Sequence, residues 1–97
     1  MLCLDECKAK LVSFKKCFGH EFGIKSIGIF GSVARQENRE DSDLDIVVDI
    51  DNPTLSTMYT LKTVLTEMFH CEIDLVRFRS SLPPFLKQNI EKEAIYV

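Results

Sequence analysis

The alternation of helical and strand periodicity along the chain predicts an α/β (α+β) fold, a small mixed β-sheet of about three strands flanked by helices. Three observations carry this expectation. Leu4, Cys7, Leu11, Phe14 and Phe18 recur at spacings of three and four, which is one face of a helix. Leu44, Ile46, Val48 and Ile50 occupy every second position, the period of a strand with one buried face. Leu55, Met58, Leu61, Leu65, Met68 and Phe69 then return to helical spacing.

In chain order, Gly19 directly follows Phe18 and marks the expected end of the first helix. From Ile24 to Phe30 the period switches to two, with Ile27 and Ile29 on one face and Gly28 and Phe30 on the other. This first strand ends at Gly31-Ser32, and a short helix from Ser32 to about Glu37 is expected next. Residues 36–42 are a polar connector. The second strand presents Leu44, Ile46, Val48 and Ile50 to the core and Asp43, Asp45, Val47 and Asp49 to the opposite, acidic face. Asn52-Pro53 reads as cap and first-turn proline of the following helix. Residues 72–78 form the third strand, and Pro83-Pro84 opens a last helix with Phe85, Leu86 and Ile90 inward. Ala94 to Val97 trail off extended.

The bulk properties bound the function. Ninety-seven residues make one domain, 1–97, with room for a single core. Hydrophobic residues at 45% and charged residues at 28% are ordinary for a soluble globular chain. A formal net charge of −3 makes the field mildly repulsive to nucleic acid, so no direct nucleic-acid binding is expected. No apolar run approaches the roughly 20 residues of a membrane span. Met1-Leu2-Cys3-Leu4-Asp5-Glu6 carries acid where a signal sequence carries base. Cys3, Cys7, Cys17 and Cys71 match no zinc spacing and read as plain thiols of the reducing cytoplasm.

The chemistry concentrates in three acids and a turn. Asp43 and Asp45 stand at i and i+2 at the start of a strand, so they project side by side. Like charges held that close repel unless a cation lies between them. Asp74 sits inside Ile73-Asp74-Leu75-Val76, where an unpartnered acid is costly to bury. If the third strand neighbours the second, Asp74 converges on the pair, and two magnesium ions are the expected answer. Gly31 lets a phosphate approach the backbone, and Ser32 adds a hydroxyl and opens a helix whose free N–H groups face an anion. Arg35, one turn on, reaches either a phosphate or a surface acid such as Glu37 or Asp41. Ser42 either bonds the nucleotide or fixes its own turn. Asp49 reads as solvated, and His20 and His70 receive no role.

With Gly31-Ser32 ten residues ahead of Asp43-Leu44-Asp45 and a third acid at Asp74, the chain resembles the nucleotidyltransferase superfamily of DNA polymerase beta. Gly31-Ser32-Val33-Ala34-Arg35 with Ser42-Asp43-Leu44-Asp45 looks like its minimal nucleotidyltransferase, or MNT, family. One departure is Gln36, where that family often has glycine after the arginine. The resemblance implies an antitoxin that uses ATP and Mg2+ to transfer AMP to a tyrosine of a HEPN-domain ribonuclease toxin. In that scheme Asp43 and Asp45 hold both metals, Asp74 holds the catalytic one, and Gly31 and Ser32 hold the β- and γ-phosphates. Two other readings stand beside it. A binding module could silence the toxin by occlusion alone, though such a chain is expected to lose one of the three acids. A transferase acting on a small molecule or an RNA end would need an acceptor pocket, for which this length leaves little room.

Overall fold

The computed structural model describes residues 2–97. The element order is α1 (Leu4–Phe22), β1 (Ile24–Phe30), α2 (Gly31–Ala34), β2 (Leu44–Ile50), α3 (Leu55–Phe69), β3 (Ile73–Arg77), α4 (Pro84–Glu93) and β4 (Ile95–Tyr96). The strands form one mixed sheet in the order β3-β2-β1-β4. β1 is antiparallel to β2 and to β4, whereas β2 and β3 run parallel with α3 as their crossover. The sheet therefore has four strands rather than about three. The tail expected to trail off instead adds to β1, with Gly28 opposite Tyr96 and the Val97 N–H bonded to the Ile27 carbonyl. Gly28 permits this, since a Cβ there would lie 2.8 Å from the Ile95 carbonyl oxygen and 3.0 Å from the Tyr96 ring.

α1 runs past Gly19 and ends at Gly23, which adopts the left-handed conformation (φ 66) and donates its N–H to the Gly19 and His20 carbonyls. The reason is Phe22. It continues the stripe of Phe14 and Phe18, with ring centroids 5.3 Å apart for Phe14–Phe18 and 6.3 Å for Phe14–Phe22. Packing of the third ring outweighs the cost of an interior glycine. α3 is capped by Thr54, whose hydroxyl accepts the Thr57 N–H at 3.0 Å. Asn52 and Pro53 precede that cap, and Asn52 takes up a left-handed turn (φ 46) that asparagine tolerates.

Leu11, Phe14, Ile27, Ile29, Leu44, Ile46, Val48, Leu61 and Leu65 form the main core between the sheet and the α1/α3 layer. A second cluster of Phe30, Val47, Leu82 and Ile90 lies on the other face, under α4. That outer face of β2 is thus only partly acidic, because Val47 is fully buried between Asp45 and Asp49. Phe85, expected inward, is 77% exposed. α4 packs through Leu86 and Ile90, four residues apart, with Leu82 just ahead of the helix in the same cluster, and this register turns Phe85 outward. No helix among the described residues is long and apolar enough to cross a membrane.

Candidate active site

Sheet register assembles the site. Phe30 pairs with Asp45 across the antiparallel β1–β2 ladder, and Asp45 pairs with Asp74 across the parallel β2–β3 ladder. Directly opposed residues share a face. Asp45 therefore stands between Asp74 and the turn that begins at Gly31. Asp43, one residue before β2, is exposed at the entrance to the same face.

Asp74 departs from expectation in one respect: it is exposed. β3 is an edge strand, and its inward residue Ile73 takes the core side, leaving Asp74 on the open face. Burial falls on Asp45 instead. Its carboxyl is pushed up from 3.8 to about 6, first by desolvation, then by the charge of Asp74 and a hydrogen bond with it, and then by Asp43. Arg35 acts in the opposite direction.

Among the described residues no three His, Cys, Asp or Glu side chains close around a single point. The three acids form an open row rather than a cage. This suits magnesium, which keeps several waters and is held by one or two carboxylates together with substrate phosphates. A hard, all-oxygen donor set with one acid destabilised in its ionised form fits that ion.

The sign of the Asp45 shift gives a first prediction. With its folded-state value raised, Asp45 binds a proton more tightly in the folded than in the unfolded chain. Metal-free stability should then fall as pH rises from about 4 through about 6. Magnesium should restore the loss above that window and do little below it. Thermal unfolding across this range, with and without MgCl2, checks it; a magnesium effect independent of pH would count against it.

The turn is built around Asp45 as much as around a phosphate. Gly31 has φ 74, and a Cβ placed on it would run into the Asp45 carboxylate, 2.9 Å from its Cγ. Ser32, partly exposed, lies in the first turn of α2, whose N–H groups have no intrahelical acceptors. α2 stops at Ala34 rather than near Glu37, because Gln36 is left-handed (φ 58). Gln36 thus keeps the backbone turn that glycine adopts more readily.

Arg35 and Ser42 are engaged elsewhere. The Arg35 Nε donates to Glu37 at 3.3 Å and its Nη1 to Glu93 at 3.0 Å. The Ser42 hydroxyl accepts the Arg39 N–H at 2.8 Å, so it fixes the connector. Asp49 lies across β1 from Tyr96, whose hydroxyl is pushed up by burial and then by the charge of Asp49. Glu93 is the site neighbour that sequence reasoning missed; 58 positions separate it from Arg35, and no local pattern marks it.

Residues 13–97 match the family described as Polymerase beta, Nucleotidyltransferase. The chain belongs to this family. A nucleotidyltransferase relative from Thermococcus cleftensis, named protein adenylyltransferase MntA, is 38% identical over 98 residues, covering 100% of this chain and 98% of its own. A solved structure described as a minimal nucleotidyltransferase superposes with a TM-score of 0.80 at 33% identity, over 97% of this chain and 95% of that one. A toxin–antitoxin structure with AMP-PNP shares the fold at a TM-score of 0.74 and 22% identity, over 92% of this chain and 70% of that chain. The fold is that of a minimal nucleotidyltransferase, with four strands in its sheet.

Proposed function

We propose that this nucleotidyltransferase is an antitoxin that transfers AMP from ATP to a tyrosine of a partner HEPN ribonuclease toxin and thereby neutralises it. It acts as a single domain, 1–97, in the reducing cytoplasm, without binding nucleic acid directly. The observation that carries the reading is the row Gly31–Asp45–Asp74, a glycine turn and two acids brought together by strand register. The adenylyltransferase name of a relative covering the whole chain supports AMP as the group moved.

In this mechanism the Gly31-Ser32 turn receives the β- and γ-phosphates of ATP. Asp43 and Asp45 would hold two magnesium ions, with Asp74 at the catalytic one, to neutralise phosphate charge along the reaction path. The tyrosine hydroxyl attacks the α-phosphorus in line. Its oxygen–phosphorus bond forms as the bond to the bridging oxygen breaks, and pyrophosphate leaves. Asp74, exposed on the edge strand β3, would be open to that hydroxyl and would assist removal of its proton.

The test is incubation with labelled ATP, magnesium and the product of the adjacent gene. Label should appear on that partner and vanish with Asp43→Ala. The second reading, neutralisation by occlusion, wins if Asp43→Ala/Asp45→Ala still silences the toxin in full. Retention of all three acids favours catalysis.

A further inference from the structure

α2 is a single turn of four residues, too short to hold itself in place. Its own Val33 is fully buried. At its C-terminal end, Arg35 ties it to α4 through Glu93, and the two acids on Arg35 are not equivalent. The Glu37 side chain is 67% exposed, whereas that of Glu93 is 21% exposed. Glu93 is also the last residue of α4, where the carbonyl end of the helix disfavours an anion. An acid stands there against the helix dipole and is turned onto one guanidinium.

The two bonds occupy Nε and Nη1, which fixes the guanidinium plane and leaves Nη2 for another acceptor. Arg35 directly follows α2, and its backbone N–H is bonded to the Gly31 carbonyl at 3.1 Å. Its free donors are therefore carried on the same turn as Gly31 and Ser32.

We propose that Glu93 is a positioning residue. It holds Arg35, and with it the turn α2, in the orientation in which the Gly31-Ser32 backbone and the remaining guanidinium donors meet the nucleotide's phosphates. The inference rests on the nucleotidyltransferase reading of the site and adds to it a residue from the opposite end of the chain. A preorganised arginine loses less freedom when phosphate arrives, so the effect belongs in nucleotide affinity rather than in the chemical step.

Two measurements test it: binding of AMP-PNP with magnesium to this chain alone, and kinetics of AMP transfer to the partner. Glu93→Ala should weaken AMP-PNP binding and raise KM for ATP by about tenfold, with kcat within about threefold of wild type. Glu93→Gln, which keeps an acceptor oxygen, should recover affinity to within about threefold of wild type. On an Arg35→Ala background, Glu93→Ala should cost nothing further. Glu93→Leu, which keeps the side chain's bulk, takes its place if the alanine variant does not fold. Unchanged affinity in Glu93→Ala, or in Glu93→Leu where it takes its place, or an equal loss on the Arg35→Ala background, overturns the proposal. A wild-type chain that binds AMP-PNP but transfers nothing overturns the proposed function, and Glu93 is then judged on binding. A wild type that binds no nucleotide overturns both.

Discussion

Asp45→Asn should abolish AMP transfer, lowering kcat/KM by at least about a thousandfold, while leaving the metal-free protein as stable as wild type or more so. The two halves of this result have one cause. Asp45 is partly buried against Asp74, and the ionised form is disfavoured by desolvation and by the neighbouring charge. An amide removes the repulsion and offers Asp74 a donor. It also removes the carboxylate that lies between the turn and β3. Transfer assays and melting curves above pH 6, without magnesium, read both effects. An acid retained for structure alone would show the reverse: lost stability with activity intact once the protein is folded.

Gly31→Ala should damage both properties at once. The new Cβ meets the Asp45 carboxylate, and the position requires a left-handed backbone (φ 74). Such a conformation in a residue other than glycine costs about 1–3 kcal/mol. Relief of the clash must move either the turn or the acid, and a displacement of about 1 Å at a reacting centre costs roughly a hundredfold in rate. Chemical denaturation with parallel kinetics would test this. Wild-type kcat/KM in the alanine variant would show that the turn and Asp45 are not in contact during the reaction.

What could be read from the sequence was local. The i, i+2 spacing of Asp43 and Asp45 and the ten residues from Ser32 needed only strand periodicity and the properties of glycine. The approach of Asp74 to the other two acids followed from assuming that the third strand neighbours the second, and the parallel register places it opposite Asp45. Features that depend on distant partners were not legible. Asp74 looked buried because its sequence neighbours are apolar, yet β3 lies at the edge and leaves it open. Phe85 looked like core because it adjoins Leu86, but α4 turns it outward. The closing strand β4 depends on a glycine 67 positions before Ile95, and Arg35, besides the foreseeable Glu37, finds a second partner at the far end of the chain. In each case the deciding contact is tertiary, and periodicity carries no information about it.

The closeness of Gly31 to Asp45 also bears on how this chain can change over generations. The glycine is required twice over, by its left-handed backbone and by the aspartate packed against it, and the aspartate keeps its place because nothing larger occupies the turn. In a lineage that came to rely on occlusion alone, loss of the acid to a smaller residue would remove the second of these demands and leave only the backbone's. The two positions are then expected to decay together, the acid first. A descendant with both replaced would be a record of abandoned catalysis.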